Sequence, residues 1–130
     1  MIVVDASCLI EWLLDRPKGA AIDQRLFHTD VDPCAPSLID VEVCHALRRL
    51  WLLKQLSASR AVEAIGDLRA LRLVRFPHEE LLEGMWRLRV NHSAYDATYV
   101  ALAEALDAPL ATCDKKLAAA VAGKVQVEVF

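Results

Sequence analysis

The sequence predicts an α/β fold: a three-layer sandwich whose central, mainly parallel sheet of about five strands is flanked by helices. Two observations carry this. Short β-branched runs alternate with longer amphipathic stretches along the whole chain, and successive strands joined by helices run parallel because each crossover is a helix. The 130 residues, 55% hydrophobic and 25% charged, suit one domain with an ordinary core. Residues 1–130 accordingly read as a single domain, with no repeat, linker or low-complexity tract. No apolar stretch approaches the ~20 residues of a membrane span. Met1-Ile2-Val3-Val4-Asp5 lacks the basic region and cleavage site of a signal peptide. The expected compartment is the cytoplasm.

Each element has a local cause. Ile2–Val4 is a β-branched run closed by Asp5, as in a buried strand. A short helix is expected over residues 7–14, stopped near Pro17, and another over 18–27 with Ile22 and Leu26 inward. Residues 31–35 form a weak strand whose pairing Pro33 limits. Ser37 opens a long helix to about residue 54, with Ser37-x-x-Asp40 as a capping box. Ser57 or Ser59 starts the next, to about residue 71. Residues 72–76 form a strand, and residues 78–92 a helix with Leu81, Leu82, Met85 and Leu88 inward. Ser93 caps a helix over 94–107 that is apolar almost all round and therefore deeply buried. Residues 109–112 are a strand. Asp114 caps a helix ending at Gly123, a natural C′ glycine. Residues 125–129 form the last strand.

Charge and isolated motifs narrow the function. There are 15 basic and 18 acidic residues, a net charge of −3, and an isoelectric point near 5.8. This weighs against broad nonspecific nucleic-acid binding, which needs a basic excess. Setting aside four acids discussed below leaves 14 acidic residues and a net charge of +1. A surface whose acidic cluster is neutralised by cations need not repel phosphate. Cys8, Cys34, Cys44 and Cys113 form no CxxC and no zinc spacing, and read as small buried hydrophobes. His28, His78 and His92 read as surface or interface residues; His45, one turn after Glu42, reads as a neighbour of the site. Trp12, Trp51 and Trp86 read as core or interface anchors. There is no phosphate-cradling glycine loop and no G-x-S-x-G nucleophile turn.

The chemistry-bearing residues are acids. Ligands of open parallel sheets bind beyond the carboxyl ends of the strands, where strand order reverses. Two strands end directly in aspartate, Asp5 and Asp114. Either alone is equally well a helix N-cap; two become one site if their strands are neighbours. Glu42 lies on the apolar side of the long helix with Leu38, Ile39 and Ala46. An unpaired glutamate there costs several kcal/mol, so it needs a metal or one of the ten arginines. Asp96 sits in the first turn of the buried helix, beside Tyr95 and Tyr99. There the helix dipole favours it, but Ser93 is already a competent cap. If the four converge, their repulsion forces protonation or a divalent cation. An all-oxygen set suits Mg²⁺ or Mn²⁺, and such ions serve phosphodiester hydrolysis.

At these residues the sequence resembles the PIN-domain ribonucleases, and more narrowly the VapC toxins of bacterial toxin–antitoxin pairs. The resemblance covers essentially the whole chain. It rests on Ile2-Val3-Val4-Asp5-Ala6-Ser7, on Glu42 in Asp40-Val41-Glu42-Val43, on Tyr95-Asp96-Ala97-x-Tyr99-Val100-Ala101-Leu102-Ala103, and on Ala111-Thr112-Cys113-Asp114-Lys115-Lys116-Leu117. It implies a PIN-like fold and metal ligands at Asp5, Glu42, Asp96 and Asp114. It implies that the hydroxyls of Ser7 and Thr112 hold ligands or water. It further implies Mg²⁺- or Mn²⁺-dependent endonuclease cleavage of RNA, often tRNA or ribosomal RNA, a VapB-type antitoxin that covers the site, and homodimerisation through the helices. His45 departs from the asparagine that relatives often carry.

Two further readings stand beside it. Lys115 and Lys116 either touch substrate phosphates or form a solvated helix start. The helix carrying Trp51, Leu52 and Leu53, with the helix after it, is either ordinary core or a groove for an antitoxin helix. Other functions fit the acids less specifically. A receiver-like regulatory module phosphorylated at Asp5 would want an acidic pair near the first strand, which is missing. A phosphatase or DNA nuclease would use the same cluster.

Overall fold

A computed structural model describes all 130 residues. Five strands form one parallel sheet: β1 (Ile2–Val4), β2 (Pro33–Pro36), β3 (Val74–Phe76), β4 (Leu110–Thr112) and β5 (Val127–Val129), in spatial order β3-β2-β1-β4-β5. Seven helices surround it: α1 (Ala6–Leu13), α2 (Gly19–Phe27), α3 (Leu38–Leu52), α4 (Ala58–Ala70), α5 (Leu82–Arg87), α6 (Ala94–Leu106) and α7 (Lys115–Val121). The α/β alternation is as the sequence predicts. From β1 the chain builds outward through β2 and β3, then returns to the other edge of β1 with β4. The reversal therefore falls between β1 and β4, which pair in register Val3↔Leu110 and Val4↔Ala111. Asp5 and Asp114, each closing a strand, emerge at one crevice.

β1 is fully buried, as its unbroken apolar run requires. Helix α6 packs across β1, β2 and β4 and is buried continuously from Ala97 to Ala103. Helix α5 lies against α6, closely enough that a Cβ on Gly84 would be 3.1 Å from that of Ala101. Ser93 caps α6 through the Asp96 amide (3.2 Å) and Ser57 caps α4 through the Arg60 amide (3.1 Å). Gly123 follows α7 with φ +84°, the left-handed conformation expected of it. No helix is long and apolar enough to cross a membrane.

Several expectations need correction. Residues 33–36, not 31–35, form β2, and this strand is interior, paired with β1 and β3. Pro33 opens the strand and Pro36 closes it, so the missing amides fall at its ends. The helix expected over residues 78–92 is a 3₁₀ turn at Glu79–Leu81 followed by α5, which ends at Arg87. Leu81 and Leu88 are buried, whereas Leu82 is exposed. Trp51 and Trp86 are also exposed, at 51% and 69% of their surface, and Arg89 stacks on the Trp86 ring at 4.6 Å. Cys44 is exposed and Cys113 partly so. His92 is buried, with an Nε2 that has no hydrogen-bond partner.

The capping box at Ser37 does not form. Ser37 is helical in its own backbone and donates its hydroxyl to the Phe76 carbonyl (3.2 Å). The Leu38 amide donates instead to His78 Nε2 at 2.8 Å, and Asp40 receives a bidentate Arg75 at 2.8 and 2.9 Å. The start of α3 lies against the end of β3, so partners distant in sequence replace the local motif. His78→Ala should lower stability by about 1 kcal/mol, or roughly 3–6 °C in Tm. Thermal unfolding followed by circular dichroism checks this; an unchanged Tm would mean that water caps α3 equally well.

Candidate active site

A cavity of about 610 Å³ opens beside the β1/β4 reversal, and Asp5, Glu42, Asp96 and Asp114 all line it. They arrive from four elements. Asp5 follows β1 and caps α1, accepting the Cys8 amide at 3.2 Å. Glu42 projects from the second turn of α3, Asp96 from the first turn of α6. Asp114 follows β4 and caps α7, accepting the Lys116 and Leu117 amides at 2.8 and 3.1 Å. Both capping readings are thus correct, and both caps also face the shared cavity. Ala6, Ser7, Leu38, Val41, His45, Tyr95, Tyr99 and Leu117 complete the lining.

Asp5 is the most enclosed acid, 6% exposed. Ser7 donates its hydroxyl to Oδ1 and Thr112 donates to Oδ2, each at 2.5 Å. Thr112 Oγ1 in turn accepts the Asp114 amide at 2.9 Å, and Ser7 Oγ accepts the Cys113 amide at 2.8 Å. The two hydroxyls therefore tie the ends of β1 and β4 together around one carboxylate. Burial raises the Asp5 pKa above its ordinary value, against the lowering effect of these hydrogen bonds.

Glu42 makes no ion pair with any of the ten arginines. Tyr99 instead donates its hydroxyl to Glu42 Oε2 at 2.6 Å. Burial raises the Glu42 pKa, and the charges of Asp5 and Asp96 add to the rise. Burial also raises Asp96, with a further contribution from Asp114. These acids repel one another across the cavity. No three of the side chains close on a point as a finished metal cage. The carboxylates of Asp5, Glu42 and Asp114 are instead held by their own protein partners, and that of Asp96 makes no hydrogen bond or ion pair, around a space wide enough for a hydrated ion. The four carboxylates that line the cavity form an all-oxygen donor set, which suits a hard divalent cation that keeps several of its waters.

Tyr99 was not legible as a partner of Glu42; its position three residues after Asp96, on the same side of α6, was the only hint. His45 lines the cavity one turn beyond Glu42. Lys115 and Lys116 are exposed and do not line it.

A PIN domain family model matches residues 2–123, and the chain is 44% identical to Ribonuclease VapC1 of Mycobacterium tuberculosis over 119 residues, covering 91% of this chain and 89% of that one. The chain belongs to the VapC group of the PIN-domain family. Solved PIN structures share its fold at low identity. VapC20 of M. tuberculosis, a Sarcin-Ricin loop cleaving toxin, superposes with a TM-score of 0.68 at 20% identity, covering 97% of this chain and 99% of that one. VapBC2 from Rickettsia felis, bound to a DNA fragment from its promoter, gives 0.71 at 14% identity, covering 99% and 98%. In this VapC-group PIN domain the four acids thus lie where the sheet topology puts a ligand. The receiver-like reading loses its support, since Asp5 is buried with both oxygens engaged.

Proposed function

We propose that this VapC-group protein is a divalent-cation-dependent endoribonuclease that hydrolyses RNA phosphodiester bonds at the four-carboxylate cavity. The observation that carries the reading is the meeting of Asp5, Glu42, Asp96 and Asp114, from four separate elements, in one cavity at the β1/β4 reversal. The ribonuclease name of VapC1 and the RNA-cleaving description of VapC20 support RNA as the substrate. Asp5, Glu42, Asp96 and Asp114 would hold Mg²⁺ or Mn²⁺. When bound, such an ion neutralises the acids, binds a phosphate oxygen and lowers the pKa of a water.

The protein's own groups set the geometry. Ser7 and Thr112 fix the Asp5 carboxylate through both oxygens, so its position is set before substrate arrives. Tyr99 holds Glu42 through one oxygen, Oε2, and leaves the other free. Lys115 and Lys116, at the start of α7 beside Asp114, meet phosphates flanking the scissile one. The toxin of a cytoplasmic toxin–antitoxin pair is the role that fits. The exposed apolar side chains of Val41, Trp51 and Leu52 on α3 and of Leu53 just after it supply a contact surface for a VapB-type antitoxin and for a second copy of the chain.

The test offers total RNA, single-stranded DNA and a phosphomonoester, each with Mg²⁺ and then with EDTA. Cleavage of RNA alone, lost on chelation and restored by added Mg²⁺, is expected. RNA cleavage that survives EDTA contradicts the metal reading. Preferential turnover of DNA or the phosphomonoester contradicts the substrate reading.

A further inference from the structure

Two thiols meet directly behind the site. Cys8, in the first turn of α1, and Cys113, just after β4, are 105 residues apart in sequence, yet their Sγ atoms are 3.7 Å apart. The other two cysteines are elsewhere: Cys34 Sγ donates to the Ile2 carbonyl and Cys44 is exposed. The backbones that carry the close pair belong to the site's own network. The Cys8 amide donates to Asp5 Oδ1, and the Cys113 amide, between Thr112 and Asp114, donates to Ser7 Oγ.

We propose that Cys8 and Cys113 form an oxidisable dithiol site, which peroxide converts to an intramolecular disulfide that weakens divalent-cation binding at the adjacent acids. Cys113 reacts first, because it is partly exposed while Cys8 is fully buried. Its sulfur attacks one peroxide oxygen and the O–O bond breaks. Cys113 becomes a sulfenic acid, oxidised by two electrons, and the departing hydroxide takes up the thiol proton as water. The Cys8 sulfur then attacks the Cys113 sulfur. The S–O bond breaks, the S–S bond forms, and hydroxide leaves with the Cys8 proton as a second water. In total, two thiols and one peroxide give one disulfide and two waters.

A disulfide is about 2.05 Å long, so the sulfurs must approach by roughly 1.7 Å. Cys8, in the first turn of α1, is tied to Asp5 through its amide, and Cys113, on the short connection after β4, is bonded to Asp114, so the contraction is transmitted there. It draws the Cys113 amide off Ser7 Oγ and shifts Asp114 relative to Asp5. Displacing groups that orient metal ligands lowers metal affinity by about 10–100-fold. The burial that raises both thiol pKa values makes the reaction slow compared with a free thiol, so exposure over hours is the appropriate regime.

The effect on metal binding rests on the cation-dependent reading above; the disulfide itself does not. The protein, its Cys8→Ala variant and its Cys113→Ala variant are each treated with hydrogen peroxide. They are then analysed by mass spectrometry, peptide mapping and Mn²⁺ titration. The parent should lose about 2 Da, link the Cys8 peptide to the Cys113 peptide, bind Mn²⁺ at least about tenfold more weakly, and recover with dithiothreitol. Either variant should bind Mn²⁺ before treatment and keep its affinity after it. Failure of the Cys8–Cys113 link overturns the proposal whatever the enzyme's activity. A formed link with unchanged Mn²⁺ affinity overturns the coupling. If the untreated parent binds no Mn²⁺, the metal reading fails and the coupling with it.

Discussion

Asp5→Asn should lower single-turnover RNA cleavage by about 10³-fold, equivalent to ~4 kcal/mol of transition-state stabilisation, without destabilising the protein in the absence of divalent ions. The two effects separate because Asp5 does two jobs. As an N-cap it accepts the Cys8 amide, which an asparagine Oδ1 does equally well. Its second oxygen accepts from Thr112. An Asn Nδ2 there donates to Thr112 Oγ1 instead, and the hydroxyl rotates. What the amide cannot supply is negative charge. Asp5 is buried and its pKa is raised, so the ionised carboxylate destabilises the metal-free fold at neutral pH. The variant should therefore unfold at the same Tm as the parent or a few degrees higher in EDTA, and lose the Tm gain that Mg²⁺ gives the parent. A large drop in Tm in EDTA would mean that Asp5 is mainly a structural cap.

Magnesium should stabilise the parent much more at pH 7.5 than at pH 5. Asp5, Glu42 and Asp96 all have folded-state pKa values raised above their unfolded ones. A raised value means that the folded chain holds protons more tightly than the unfolded one. The stability this gives is complete below the unfolded carboxylate pKa of about 4. It is lost as pH rises through the raised values. Without a cation, the site is thus a source of instability at neutral pH, where the acids repel one another. Mg²⁺ takes the place of the protons and must compete with them as pH falls. At a hundredfold excess over Kd a ligand adds about 2.7 kcal/mol, or roughly 10 °C in Tm for a domain of this size. Differential scanning fluorimetry with matched ionic strength reads the difference. Equal shifts at both pH values would place the ion elsewhere.

Local signals carried much of this structure. Strand-closing aspartates, the Ser93 cap and the Gly123 stop depend on chemistry within a few residues and appear as expected, and of the two serines offered for the start of α4 it is Ser57 that caps it. The continuous apolar surface of α6 foretold its burial. Strand order, by contrast, is a tertiary fact: nothing near Ile2 says that β4 returns beside it. Glu42 shows the boundary well. Its place on an apolar helix face announced that it needed a partner, but ten arginines were available and the partner is the Tyr99 hydroxyl. Asp40, two residues earlier, looked like half of a capping box and instead pairs with Arg75. Helical periodicity likewise placed Leu82 inward, because it assumed one continuous helix where a 3₁₀ turn resets the phase. The Cys8–Cys113 contact was not read from the sequence, because neither cysteine carries a spacing motif and both looked like small buried hydrophobes.

Mn²⁺ binding, followed by the electron paramagnetic resonance signal of the free ion, tests the central claim most directly. The parent is compared with Asp5→Asn, Glu42→Gln, Asp96→Asn and Asp114→Asn, and with Asp40→Asn as the control acid engaged by Arg75. Each of the four site substitutions should weaken binding by at least about tenfold, and Asp40→Asn should leave it unchanged. Parent-like binding by Glu42→Gln or Asp114→Asn, or an equal loss in Asp40→Asn, would show that the four carboxylates do not act together on one cation site.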